Sequence, residues 1–535
     1  MTLFNRLRLL AVFLLLSTLL EACGGGGGGS GSTPPSGGGG TGSSDPVWTA
    51  GTYDTPAHLA AHCAAPRSGT DPVSGKPYPD VRGSVVWENH WIRSWVHAYY
   101  LWYSEVADVN PASYTSTEAY FKVNKTTATT ASGTAKDKFH FTYPTSQWES
   151  FVTSGATVDY GAHWVFVATT PPRQLIVGYT DPNSPAAGAA LMRGASVLAI
   201  DGIDLVNAND QASVDKLNAG LSPKVVGESH TFTVQDPGTN GSRTVTLAAA
   251  NVVSVPVQNA QVVQTAGGPV GYFTFNDHIA SAETQLASAV QMFADAHVTD
   301  LILDLRYNGG GLLDIASELA YMIAGPVRTS TGYFEKLSFN DKYPTVDPIS
   351  GQPITPTPFL STAQGYSLTN GTPLPSLGLG RVIVITGGTT CSASESVINS
   401  LRGIGVTVVL IGNQTCGKPY GFYPQDNCGT TYFSIEFKGV NAQGFGDYTD
   451  GFVPANAMSA NGAVRVDGCV VADDYSHALG DVNEGELSVA LSWLQNGTSA
   501  CPAPTASGPS PTLHETPRMR KPVWLMNRIL ANPRR

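Results

Sequence analysis

Apolar positions recur along this chain with two different periods, and the change from one to the other marks its organisation. From Gly271 onward the pattern is strand then helix, repeated. Gly271–Phe275 and Leu301–Leu305 read as apolar strands, the second interrupted only by Asp304. Leu286, Val290 and Phe293 fall on one face of a helix over Ala280–Ala296, and Leu312, Ile315, Ala316, Leu319, Ala320 and Ile323 mark a second helix. Arg381–Thr386 and Val406–Gly412 are two further buried strands, with Val397, Ile398, Leu401 and Ile404 spaced for the helix between them. Alternation of this kind predicts an α/β core. Upstream, Trp87, Trp91, Trp95, Tyr99 and Trp102 recur at helical spacing, an aromatic stripe that predicts the core of a helical segment rather than a ligand site. Between these regions the strands are short. A capped turn at Ser184–Ala187, a glycine turn at Gly194, an alternating strand at Val197–Ile200 and the Asp201–Gly202 hairpin turn predict a β-rich unit.

The two ends read differently. Arg6 and Arg8 precede an apolar run from Leu9 to Leu20, shorter than the roughly 20 residues of a membrane span. Leu20-Glu21-Ala22-Cys23 follows and resembles a bacterial lipoprotein signal with Cys23 as the lipidated residue, although Glu21 departs from the small or neutral residue usual there. An ordinary secretory signal is the alternative. Gly24–Ser44 is nearly pure Gly and Ser and reads as a tether. The expected organisation is signal 1–23, linker 24–44, N-terminal helical domain 45–160, β-rich domain 161–255, catalytic core 256–501 and a disordered tail 502–535. The expected location is the cell envelope, lipid-anchored at the outer membrane and facing the periplasm, or secreted.

Composition narrows the function classes. The 535 residues are 42% hydrophobic but only 13% charged, and 30 Lys+Arg against 41 Asp+Glu argue against a nucleic-acid partner. Beyond Cys23 there are six cysteines, an even number consistent with disulfides in an exported chain. Cys416–Cys428, closing a loop around Lys418, and Cys469–Cys501, pinning the C-terminal segment, are two candidate pairings among many. No C-x-x-C or H-E-x-x-H spacing supports a metal site, and no cofactor is expected.

The chemistry concentrates in three segments. Ser392 opens the helix after Arg381–Thr386, where its hydroxyl would lie near the positive helix end and the Ala393 amide would be left unpaired. A plain helix cap is the blander reading of such a serine. Lys418 follows the next strand in a loop with Gly417, Pro419 and Tyr420, with few charges nearby, so adjacent parallel strands would deliver it to the same sheet edge. Asp304-Leu305-Arg306-Tyr307-Asn308-Gly309-Gly310-Gly311 follows a strand without the G-K-[ST] of a phosphate loop, and Gly309 and Gly310 are its candidate amide donors. A hydroxyl, an amine and unpaired amides are the parts of a serine/lysine hydrolase. Ser394 is the fallback nucleophile. His278, beside Asp277, is the candidate for a histidine-assisted version, although no G-x-S-x-G elbow occurs in the folded part.

Taken in order, D-L-R-Y-N-G-G-G, S-A-S-E and I-G-N-Q-T-C-G-K after the β-rich segment resemble the C-terminal processing (tail-specific) peptidases, family S41. The resemblance covers about Gly161 to Trp493. It implies a crotonase-like α/β core with a PDZ-like β-rich domain and the N-terminal helical domain. It also implies Ser392 as nucleophile, Lys418 as general base, Ala393 with Gly309 or Gly310 as oxyanion donors, and a peptide or protein substrate. In the PDZ-like unit the peptide-binding segment would be Leu175, Ile176 and Val177, although no glycine-rich carboxylate loop is evident there. The family's glutamine after the lysine is replaced by Phe422, with Gln425 further on, and Cys391 directly before the nucleophile is unusual. A catalytically silent peptide- or apolar-ligand-binding envelope protein is the reading from another class. The sequence does not identify a regulatory partner.

Overall fold

The computed structural model describes residues 44–72, 74–503 and 528–530. The signal, Cys23 and nearly all of the Gly/Ser tether lie outside the described residues. No described helix is long and apolar enough to cross a membrane.

The N-terminal aromatic stripe forms helix α1 (Val85–Tyr99), capped by the Ser84 hydroxyl, which accepts from the Trp87 amide. Its tryptophans do not close a core of their own. Trp91 and Trp95 stack on each other at 5.4 Å and meet Tyr432 of the α/β part at 5.2 and 6.2 Å. Strand β1 (Phe141–Pro144) pairs antiparallel with Thr430–Phe433, and a Cys63–Cys428 disulfide joins the same two regions. One hydrophobic core therefore runs from the N-terminal segment into the α/β layer.

The β-rich unit has a separate core. Strands β2 (Ala162–Ala168), β3 (Gln174–Thr180), β4 (Ser196–Ile200), β5 (Ser229–Gln235) and β6 (Arg243–Ala248) form an antiparallel sheet in the order β6-β5-β4-β3-β2. Phe232, Val234, Leu247 and Trp164 pack there with Val214 and Leu217 of the helix Gln211–Leu221.

The α/β part is built on β7 (Val257–Thr265), β8 (Gly268–Phe275), helix α2 (Ala282–Asp295), β9 (Asp300–Asp304), β10 (Gly310–Leu312) and helix α3 (Leu313–Thr329), which is broken at Gly325. It continues with β11 (Arg381–Thr386), helix α4 (Ala393–Gly403), β12 (Thr407–Gly412), β13 (Gly468–Val470) and helix α5 (Gly485–Asn496). The main sheet runs β7-β8-β9-β11-β12-β13, antiparallel only at β7–β8. Alternate residues of one strand serve opposite layers. Leu301, Leu303, Val382, Val384, Val408 and Leu410 pack toward α2, α3 and α4, whereas Ile302, Ile383, Ile385, Val409 and Ile411 pack toward Leu487 and Ala490 of α5. Burial on both faces explains why these strands read as unbroken apolar runs.

Three expectations are corrected. Cys416 bonds Cys391, and Cys428 bonds Cys63, so the Cys416–Cys428 pairing does not form; Cys469–Cys501 does. Leu175, Ile176 and Val177 are buried in β3, an interior strand paired to β2 on one side and to β4 on the other, so no peptide can add there. β2 is one of the two edge strands of that sheet, and its residues His163 to Phe166 line a cavity of about 350 Å³ with Tyr307, Thr389 and Asp473. Finally, the tail expected to be disordered contains a strand, β14 (Arg528–Leu530), paired in parallel with β10; residues 504–527 and 531–535 lie outside the described residues.

Two predictions follow from the packing. Trp95→Ala should cost about 3–5 kcal/mol. In urea the N-terminal segment and the α/β layer should unfold together in one transition, because the core it opens is shared between them. Glu335 is buried, and burial raises its carboxyl to about 7, with Ser396 placed to offset the cost. The folded state thus holds a proton that the unfolded chain releases above its ordinary carboxyl pKa. Stability should fall by roughly 3 kcal/mol as pH rises from about 4.5 to 7, and Glu335→Gln should flatten that slope in thermal melts.

Candidate active site

The carboxyl ends of β9, β11 and β12 open on one side of the sheet, and each continues into a segment singled out by the sequence. After β11, Ser392 takes φ 64° and ψ −117°, a left-handed backbone that costs a non-glycine residue about 1–3 kcal/mol. The strain turns the chain sharply from strand into α4. The Ser392 hydroxyl sits in capping-box position over the first turn, yet its buried Oγ makes no hydrogen bond of normal geometry.

Glu395 holds this turn in place. Its Oε2 accepts the Ser392 amide at 3.0 Å and the Lys418 amide at 2.8 Å. Its Oε1 accepts the Gly417 amide at 2.9 Å and the Thr415 hydroxyl at 2.5 Å. One oxygen shared by two amides means that the Ser392 and Lys418 nitrogens lie no further apart than two hydrogen bonds laid end to end. Burial pushes the Glu395 carboxyl up, and these four donors pull it back. The Cys391–Cys416 disulfide ties the same loops a second time, with Cα atoms 5.2 Å apart.

Lys418 is fully buried. Its Nζ lies 4.3 Å from the centroid of the Phe422 ring and 4.7 Å from that of Phe139. An aromatic face therefore stands where the resemblance leads one to expect an orienting glutamine. Gln425 is half-buried in a separate hairpin with Tyr432. Phe139 and Lys138 come from the N-terminal segment, and Lys138 donates to the Cys416 carbonyl at 2.9 Å.

The glycine loop after β9 is fixed to the serine turn. The Asn308 carbonyl accepts the Cys391 amide at 3.1 Å and the Ser394 hydroxyl at 3.2 Å. Thr389 and Thr390 donate to the Arg306 and Leu305 carbonyls. Ser394 is thus spent on the loop, which leaves Ser392 as the candidate nucleophile. Gly310 drops out as an oxyanion donor because the Asn308 Oδ1 accepts its amide at 2.9 Å. Among the described residues, the amides of Gly309 and Ala393 donate to no protein acceptor. His278 is buried behind this loop. Its Nδ1 lies 3.0 Å from Asn308 Oδ1, its ring rests on Phe275, and burial lowers its pKa to about 3. Its ring nitrogen is thereby paired with an amide rather than a carboxylate, and the residue braces the loop.

Sequence reasoning passed over several residues here. Glu395 was signalled by the S-x-x-E spacing of a capping box. Asn308 and the aromatic lid over Lys418 carried no local signal. Neither did the buried ion network beside the loop. There the Arg306 guanidinium meets Asp304, Asp473, Glu484 and Glu486, and Arg193 of the β-rich unit joins it through Tyr307 and Asp473.

A hydroxyl left without a partner, beside unspent amides and a buried amine, is the equipment of acyl transfer through a serine. Comparison with known proteins agrees at the level of family. Residues 269–422 match Peptidase family S41 and residues 88–139 match the Peptidase S41 N-terminal domain. It is similar to a carboxyl-terminal-processing protease of Picosynechococcus sp., 27% identical over 44% of this chain and 49% of the relative. A carboxyl-terminal-processing protease of Synechocystis sp. is 28% identical over 26% of this chain and 31% of the relative. The alignments thus span half or less of these curated relatives. A crystal structure from Bacteroides fragilis NCTC 9343, described as an S41 protease, covers 78% of this chain and 97% of its own at a TM-score of 0.56 and 22% identity, a likeness of fold.

Glu395→Gln would turn an amide N–H₂ toward some of the donors that the carboxylate now accepts. Loss of even one such bond in a buried site costs about 1–3 kcal/mol. The variant should therefore melt lower and lose at least tenfold in turnover, checked by calorimetry and hydrolysis of a fluorogenic peptide.

Proposed function

We propose that the protein is a serine endopeptidase that uses Ser392 and Lys418 to hydrolyse peptide bonds in envelope or unfolded proteins. The observation that carries this reading is the Glu395 oxygen shared by the Ser392 and Lys418 amides, which holds a hydroxyl without a partner close to a buried amine loop. In the reaction, Ser392 Oγ attacks the peptide carbonyl while the neutral Lys418 amine takes its proton. The carbonyl oxygen gathers charge against the Gly309 and Ala393 amides at the α4 N-terminus. Collapse breaks the C–N bond, and Lys418 returns the proton to the leaving amine. Water then enters by the same proton route and releases the acyl group.

The names of the curated relatives point to substrates cut near their carboxyl ends. The β-rich unit, whose sequence resembles a PDZ domain, would then select the chain to be cut, and the lipoprotein-like signal would place the enzyme in the envelope, anchored through Cys23. Ser392→Ala and Lys418→Ala should each abolish cleavage of unfolded casein, by a factor of at least a thousand, with unchanged far-UV circular dichroism. Retained activity in either variant would overturn the assignment.

A further inference from the structure

The strand β10 carries the glycines of the catalytic loop and is occupied along both edges. On one edge His278 bridges in parallel to Gly311, its amide donating to the Gly310 carbonyl and its carbonyl accepting the Leu312 amide at 2.8 Å. On the other edge lies β14, from the far end of the chain, with Gly310 opposite Arg528, Gly311 opposite Ile529 and Leu312 opposite Leu530. β14 also runs next to Tyr420–Gly421, the strand that follows Lys418. An extended segment therefore lies in the slot between the strand of the glycine loop and the strand that follows Lys418. Backbone pairing of this kind is how sheet edges capture extended peptides.

We propose that this slot is a peptide-strand site whose resident ligand is the chain's own C-terminal segment Arg528–Leu530, which competes in cis with substrates. The inference rests on the peptidase reading for its kinetic consequence, though not for the occupancy itself. Reach is no obstacle. The residues 504–527 that lead to β14 span up to roughly 80 Å when extended, against a radius of gyration of about 23 Å for a body of this size. Tethering also supplies concentration. A cis segment held at an effective concentration on the order of 1 mM occupies half or more of its sites even when its own Kd is about 0.1–1 mM. The edge formed by Gly310 and Gly311 presents backbone without side chains, so the ladder tolerates almost any extended sequence. Proline is the exception, because it has no amide to give.

The test uses the full-length chain carrying Ile529→Pro together with Leu530→Pro. Successive strand residues point their amides to opposite sides, so this pair removes a ladder bond whichever residue faces β10. Hydrogen exchange of the Gly311 amide, the one of the three not already given to Asn308 or His278, should be slow in the natural chain and at least tenfold faster in the double variant. The double variant should cleave casein with a kcat/KM about two- to tenfold higher, through KM. A synthetic peptide of residues 524–535 added in trans should inhibit it competitively. Unchanged exchange and unchanged KM would overturn the proposal while leaving the peptidase reading intact. Faster exchange in a protein that cleaves nothing would keep the occupancy and overturn the peptidase reading.

Discussion

One buried carboxyl group, that of Glu395, organises the loop edge of the central sheet. Glu395 is fully buried, and Ser392, Gly417, Lys418 and Thr415 all donate to it, which is what makes its burial tolerable. Each donor belongs to one of two loops that leave neighbouring parallel strands. The need to satisfy a single buried carboxyl group thus becomes a geometric constraint on both loops. The left-handed Ser392 backbone persists under the same constraint, since a strained residue holds its conformation only when its surroundings over-determine it. The Cys391–Cys416 bridge repeats the tie through covalent bonds, and Asn308 extends it to the glycine loop. Three loops then behave as one rigid body on which a hydroxyl can be left unsatisfied.

The parallel sheet below makes that arrangement reachable. β9, β11 and β12 run side by side in the same direction, so the three loops are neighbours without any long excursion. Further along the same edge, Arg306 gathers four carboxylates and, through Tyr307 and Asp473, takes in Arg193 from the β-rich unit. This second charge cluster does for the position of the β-rich unit what Glu395 does for the loops. Removing one partner from such a buried network leaves an uncompensated charge, which is why the two bodies are not free to drift apart cheaply.

Much of this was legible in the residue pattern because it is local. Continuous apolar runs marked the doubly covered strands, Leu286, Val290 and Phe293 marked α2, and three short motifs marked the three loops. What escaped was set by distant segments. The disulfide partner of Cys416 is fixed by which loops meet across the edge, and sequence spacing favoured Cys428 only because it is near. Leu175–Val177 looks like any apolar strand, and whether it lies at an edge depends on where β4 is placed. Gly310 and Gly309 are equivalent as letters. Asn308 separates them by spending one amide and leaving the other. The Phe139 ring over Lys418 comes from a segment whose own pattern spoke only of core.

The same division bears on how the cleft would choose what it binds. Glycine-lined edges read backbone and ignore side chains, so β10 by itself cannot discriminate among extended chains. Discrimination must then come from access and from the second body. A folded domain offers no free strand to the slot, whereas a loose terminus does. The β2 edge offers side-chain pockets of its own, in the cavity that His163–Phe166 share with Tyr307 and Thr389. The Arg528–Leu530 strand pairs with that edge through its backbone just as a foreign extended chain would. A cleft built to accept backbone has to be shielded from the nearest backbone, and here the nearest backbone is its own.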